Sequence, residues 1–191
     1  MLKNQKGFSL VELVIVIVVV GLLAVAALPR FLDVTDEAKK SSIEGVAGGF
    51  ATAVLSARAQ WEAEARPSEK IGVETYNTVN YDGVDFWLTR SKNSNNEDTD
   101  FRDGYPWTLN NNSSTAPQDI SDKTCSELME NLLQNPPKVG AVSEVDSGSN
   151  YKYSAQANSG DATCTYVQLE GSTEHEFVYE IKTGRVTVTL Q

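Results

Sequence analysis

The sequence predicts an α+β protein in which a long N-terminal helix, transmembrane and then amphipathic, packs on a C-terminal antiparallel β-sheet. Three observations carry this. Residues Phe8 to Leu28 are apolar apart from one charge, Glu12. Apolar residues then recur at three- and four-residue spacing from Ile43 to Trp61. Beyond Pro136-Pro137 the chain breaks into short segments of alternating polarity.

The first stretch has the length of a membrane span. At about 1.5 Å rise per residue it reaches roughly 31 Å, close to the ~30 Å hydrocarbon core of a bilayer. Lys3 and Lys6 precede it. Positive charge before a span stays cytoplasmic, so the rest of the chain is expected outside. A secretory signal peptide would have a shorter apolar region followed by a small-residue cut site; here the run is longer and Gly7 stands before it. A plain anchor explains the length but leaves Glu12 awkward. A carboxylate facing lipid costs on the order of 2.5–3.5 kcal/mol, so an acid inside a span implies a partner. If the chain were cut after Gly7, Phe8 would carry a new amino terminus, and that amine could pair with Glu12 of a neighbouring copy.

Pro29 follows the span. It cannot donate to the carbonyl four residues back and its ring crowds that carbonyl, so it kinks or weakens a helix without having to end it. From about residue 30 to 66 the helix is expected to continue as an amphipathic segment. Ile43, Val46, Ala47, Phe50, Val54, Ala57 and Trp61 form one stripe, and Asp36, Lys40, Glu44, Arg58 and Glu62 belong to the other face. Gly45, Gly48 and Gly49 are poor helix formers; they either allow close approach of a neighbouring element or mark a weak point.

Residues 67–121 read as a loop-rich connector. Within it, Asp82-Gly83 between alternating apolar residues predicts a hairpin spanning Val79 to Leu88. Ser91–Asp100 and Asn110–Ala116 are polar, turn-rich surface loops. In residues 122–191, Thr124-Cys-Ser-Glu127 matches a capping box for a short helix that Pro136-Pro137 stops. Strands are expected at Tyr151–Gln156, Thr163–Leu169, Glu176–Ile181 and Arg185–Leu190, the last two joined by a tight turn at Lys182-Thr-Gly184.

The formal charge is −10, and −12 without the two leading lysines. Such a surface repels nucleic acid and anionic lipid and keeps an exposed domain soluble. Cys125 and Cys164 are the only cysteines. In an oxidising compartment an even pair suggests one disulfide, and the predicted topology puts both there; two free buried thiols are the alternative.

Few residues suggest chemistry. Asp98-Thr-Asp100-Phe-Arg-Asp103-Gly104 departs from a calcium loop, with its third acid one residue late and Leu109 at the twelfth position, and reads as a solvated acidic loop. His175 is the only histidine, with no nucleophile or orienting acid evident beside it, and reads as a surface residue. Trp87, Tyr105 and Trp107 suit the core of a small domain better than a sugar-stacking platform. No phosphate loop or dinucleotide fingerprint occurs, and the sequence implies neither a cofactor, a catalytic residue nor a metal site.

The run Gly7-Phe8-Ser9-Leu10-Val11-Glu12-Leu13, with the apolar stretch, Gly21 and Pro29, resembles the type IV pilin family. The resemblance implies a lollipop fold and a non-enzymatic structural role. Residues 1–7 would be a prepilin leader cut between Gly7 and Phe8 by prepilin peptidase. Phe8 would be N-methylated, and Glu12 would be the acid used in subunit assembly. Residues 8–28 would form the filament-core half of the helix, and 29–191 the globular head. Before assembly the subunit would sit in the inner membrane of a Gram-negative bacterium with its head in the periplasm; afterwards it would lie in an extracellular pilus that supports attachment. Its partners would be other pilin subunits and the inner-membrane assembly machinery, with any surface or glycan ligand unnamed. The segment Pro29–Ala38, with Ala59-Gln60-Trp61, resembles the pilins of the mannose-sensitive haemagglutinin (MSHA) pilus, most of all its minor type. A type II secretion pseudopilin shares the leader and Glu12, but pseudopilins often lack the C-terminal disulfide. A membrane-anchored binding module that never polymerises is the rival of a different class, separated by whether Gly7–Phe8 is cut.

Overall fold

The computed structural model describes residues 7–111, 115–117, 119–145, 150–170 and 174–191. The leading residues 1–6, with Lys3 and Lys6, lie outside the described residues, as do the middle of the expected Asn110–Ala116 loop and Thr173. The chain divides into two compact units, residues 1–39 and 40–191.

The N-terminal helix, α1, runs from Leu10 to Ala63 with Pro29 inside it. Its residues from Ile43 onward belong to the second unit, whose core is built on the predicted stripe: Ile43, Ala47, Phe50, Val54, Ala57 and Trp61 are all buried. Burying one stripe while the opposite face stays in water is what an amphipathic helix contributes to a small domain.

The connector holds more structure than its composition suggests. Four strands, β1 (Ser68–Ile71), β2 (Glu74–Tyr81), β3 (Val84–Leu88) and β4 (Pro106–Leu109), form an antiparallel sheet in chain order. The Asp82-Gly83 turn joins β2 to β3, with φ of 51° and 85° at its two residues, the left-handed pair that a two-residue hairpin requires. A second two-residue turn, Gly72-Val73, joins β1 to β2. The loop-rich reading is therefore corrected to a sheet: β1 and β4 are four residues each, too short to show alternation on their own.

The short helix α2 spans Asp122–Leu132 and starts earlier than the expected cap. Ser121 is its N-cap, its hydroxyl accepting from the Thr124 amide at 3.2 Å, so Thr124 sits inside the first turn. A five-stranded sheet follows: β5 (Val139–Ala141), β6 (Tyr153–Asn158), β7 (Thr163–Gln168), β8 (Glu176–Glu180) and β9 (Arg185–Thr189). β6 to β9 pair antiparallel as expected, whereas β5, which the sequence did not reveal, pairs parallel to β6.

Phe50 is the centre of the core. Its ring lies 5.5 Å from Tyr166, 5.8 Å from Phe177 and 5.3 Å from Tyr179, all on the inner face of the five-stranded sheet. Buried phenols need partners for their hydroxyls, and these tie elements together. The Tyr166 hydroxyl donates to the Cys125 carbonyl at 2.7 Å, linking β7 to α2. The Tyr179 hydroxyl donates to the Pro106 carbonyl at 2.8 Å, linking β8 to the first sheet. Cys125 and Cys164 are joined, with Cα atoms 5.5 Å apart, so α2 is bonded covalently to β7 as well.

Candidate assembly site on the N-terminal segment

The N-terminal end of α1 is capped by its own sequence. The Ser9 hydroxyl accepts from the Val11 amide at 3.3 Å, and Glu12 Oε2 accepts from the Ser9 amide at 2.9 Å. The first turn closes with the Leu13 amide on the Ser9 carbonyl at 3.2 Å. This is the reciprocal logic of a capping box, which satisfies amides that a helix start leaves without partners. Ser9-Leu-Val-Glu12 spells that box, a signal masked in the sequence by the apolar run that follows.

Glu12 therefore lies exposed near the start of the helix, engaged through one carboxylate oxygen. Gly7 and Phe8 precede the helix and are exposed, Phe8 at 84%. From Leu10 to Phe31 every side chain is exposed, the large apolar ones included. A Cβ placed on Gly21 would meet no atom within 4 Å. Among the described residues, α1 is the one helix long and apolar enough to cross a membrane, and none of its apolar window is buried by the chain itself. A surface of this size, apolar around its whole circumference, is stable only against lipid or other protein.

The cysteine pair belongs to the residue 40–191 unit, where it is fully buried and structural. The other side chains singled out in the sequence do not converge. Asp98 pairs with Lys92 at 2.8 Å, and Asp103 accepts from the amide and hydroxyl of Ser91 at 2.7 and 2.9 Å. Among the described residues no three metal-ligating side chains come together. Trp87 and Tyr105 are buried, and Trp107 stacks on Phe101, so the three aromatics form no shared platform. His175 is not on the surface as its polar neighbours suggested. It is fully buried and its Nδ1 accepts from the Gln191 amide at 3.1 Å, a contact made by chain pairing that local sequence does not show.

Comparison with known proteins finds a family match at this same end. Residues 2–28 match the family described as the prokaryotic N-terminal methylation motif. Over 57 residues the chain is 42% identical to the type IV narrow pilus major component PilA5 of Thermus thermophilus, covering 30% of this chain and 49% of that one. It is 43% identical over 68 residues to the fimbrial protein EcpC of Eikenella corrodens (34% and 44%), and 50% identical over 50 residues to the type IV major pilin PilE of Neisseria gonorrhoeae (26% and 30%). The chain spans less than half the length of these relatives. No solved structure matches it. The likeness to the methylation motif thus falls on residues 2–28, where the long apolar helix begins, and type IV pilins are among the proteins the chain is similar to.

Proposed function

We propose that this chain is a structural subunit, of minor type, of an MSHA-like type IV pilus. The observation that carries the reading is the uncovered apolar helix with a single acid near its start. Residues 1–7 act as a leader in the cytoplasm, and prepilin peptidase cuts between Gly7 and Phe8 and methylates Phe8. The helix then leaves the inner membrane and packs among its neighbours' helices, while the residue 29–191 part passes from the periplasm to the pilus surface. Apolar packing drives this step. Glu12 neutralises the amine of a neighbouring Phe8 and sets register, since an unpaired buried charge is strongly disfavoured. The minor, MSHA-type assignment rests on the Pro29–Ala38 segment and Ala59-Gln60-Trp61.

Intact and peptide mass spectrometry on native membranes and on sheared surface filaments tests the reading. The expected result is a chain starting at N-methylated Phe8 in the sheared fraction, at low abundance relative to a major pilin. The mature chain confined to the envelope would instead indicate a pseudopilin. An uncut chain with residues 1–7 intact would overturn the pilin reading in favour of an anchored binding module.

A further inference from the structure

His175, just before β8, is fully buried, and chain pairing sets it in a row of inward-facing polar side chains. Tyr153 on β6 stands opposite Gln168 on β7. β7 and β8 pair Val167 with Glu176, and one step on Gln168 lies opposite His175, its amide donating to the His175 carbonyl at 2.8 Å. All three side chains are buried, and cross-strand neighbours on one face have Cβ atoms about 5 Å apart, so the three groups adjoin. Two atoms of this row, the Tyr153 hydroxyl and Gln168 Oε1, are buried with no hydrogen-bond partner among the described residues.

His175 holds the end of β9. Its Nδ1 accepts from the Gln191 amide at 3.1 Å. A ring nitrogen that accepts is unprotonated, so this bond requires the neutral imidazole with its proton on Nε2. An imidazolium has two N–H donors and no acceptor. Protonation and the Gln191 bond therefore exclude each other, whereas Gln168 Oε1, an acceptor one strand away, suits the protonated ring. The other ionisable groups nearby do not substitute for it. Glu174 is exposed, and Glu176 alternates to the outer face. Lys152 and Glu170 pair with each other at the surface. Burial pushes the Tyr153 phenol up to about 12, so it stays neutral in acid. α1 and β8 run in the same sense, with Phe50 beside Phe177 and Tyr179, and Arg58 bonded to Tyr105, whose ring lies against Gly184 beyond β8. The α1 turns nearest His175 are then those of Ile43 and Ala47, where the charged residues are Lys40, half-buried, and Glu44, exposed. Leu190 and Gln191 carry no titratable side chain.

We propose that His175 is an acid-sensitive latch on the five-stranded sheet: neutral, it holds Gln191 through Nδ1; protonated, it turns to Gln168 and releases the Leu190-Gln191 end of β9. Histidine changes charge in the pH range that proteins ordinarily meet. β9 is the edge strand of its sheet, so its end can leave without unzipping a further neighbour. The latch lies within the residue 40–191 unit and does not depend on pilus assembly.

The test is NMR on the nitrogen-labelled full chain in detergent micelles, from about pH 8 to about pH 4. His175 is the only histidine, so its ring nitrogens are assigned without ambiguity. At the alkaline end the expected result is an unprotonated Nδ1 with a scalar coupling, through the hydrogen bond, to the Gln191 amide. On acidification the ring protonates, the coupling disappears and protection of the Gln191 amide falls about tenfold, the worth of one hydrogen bond. The Tyr166 and Phe177 amides stay protected. Gln168→Leu moves the joint transition to lower pH by about one unit, the loss of one bond to a charged donor. His175→Gln leaves Gln191 indifferent to pH, and the ring signals of the unaltered chain decide the question should that variant not fold. A proton on Nδ1 at the alkaline end, ring protonation that leaves Gln191 unchanged, a transition unmoved by Gln168→Leu, or one that persists in His175→Gln would each overturn the latch. So would loss of the Tyr166 and Phe177 amides at the same pH, which would mean that the whole domain unfolds.

Discussion

The two stretches of α1 carry similar apolar side chains and meet opposite fates. From Leu10 to Phe31 the large apolar residues are exposed around the whole helix. From Ile43 to Trp61 the stripe residues Ile43, Ala47, Phe50, Val54, Ala57 and Trp61 are at most 2% exposed. The difference lies in pattern. A stripe can be covered by the chain's own sheets, because one face of a helix is all a sheet can reach. A full circumference cannot be, so that stretch is left to lipid or to other protein.

Phe50→Ala against Val18→Ala breaks this comparison most directly. Phe50 is fully buried against three aromatic rings, so its loss should cost about 3–5 kcal/mol of head stability. Val18, 54% exposed, should change the same transition by less than about 0.5 kcal/mol. Urea unfolding in detergent, followed by tryptophan fluorescence, measures both. A Val18 effect near that of Phe50 would mean that the chain covers its own apolar helix after all.

The disulfide should come next. Cys125 and Cys164 are 39 residues apart, and closing a loop of that length stabilises by about 4 kcal/mol on the chain-entropy argument. The double change C125S/C164S should lower the urea midpoint accordingly, while leaving helical dichroism from α1 largely in place.

Alkaline pH sharpens the contrast from another side, since buried ionisable groups on the described part of α1 are absent but the sheet holds several. Burial raises Tyr166 and Tyr179 far above the usual phenol range and pushes Tyr153 up to about 12. Above about pH 10 the unfolded chain gives up these protons while the folded one retains them. The unfolded state then binds fewer protons, so stability falls as pH rises. For Tyr166 and Tyr179 together the slope approaches about 2.7 kcal/mol per pH unit. Denaturant midpoints between pH 9 and 12 measure it; a flat profile would place these hydroxyls in water.

What the sequence made legible follows the same division. The helix, its stripe and four C-terminal strands were readable because each repeats a period over many residues. The β1–β4 sheet was half readable: Asp82-Gly83 announced one hairpin, but β1 and β4 are four residues each and declare themselves only by pairing. β5 was invisible for the same reason, being three residues whose parallel partner begins fourteen positions later. His175 is not legible as a core residue because its polar neighbours mask a position that pairing turns inward. At the candidate site, Glu12 is legible as a charge out of place, whereas its bond to Ser9 is masked by the apolar run around it.

The other half of that cap, the Ser9 hydroxyl, gives the smallest prediction. Ser9→Ala removes the hydroxyl that accepts from the Val11 amide and should cost about 1 kcal/mol at the start of α1, leaving head stability unchanged. Amide exchange of Val11 to Leu13 in micelles should speed up about fivefold, and Ser9→Asp should restore protection. The Ser9 amide's bond to Glu12 bears on the proposed pairing of that acid. Glu12 Oε2 takes the Ser9 amide, so Oε1 would be the oxygen that meets a neighbour's amine under the proposal. Capping and the proposed pairing are then compatible, since the carboxylate is already oriented by its own helix. If Ser9→Ala left exchange at Val11 unchanged, the hydroxyl would contribute nothing to the cap, and the start of α1 would rest on Glu12 and the Ser9 amide alone.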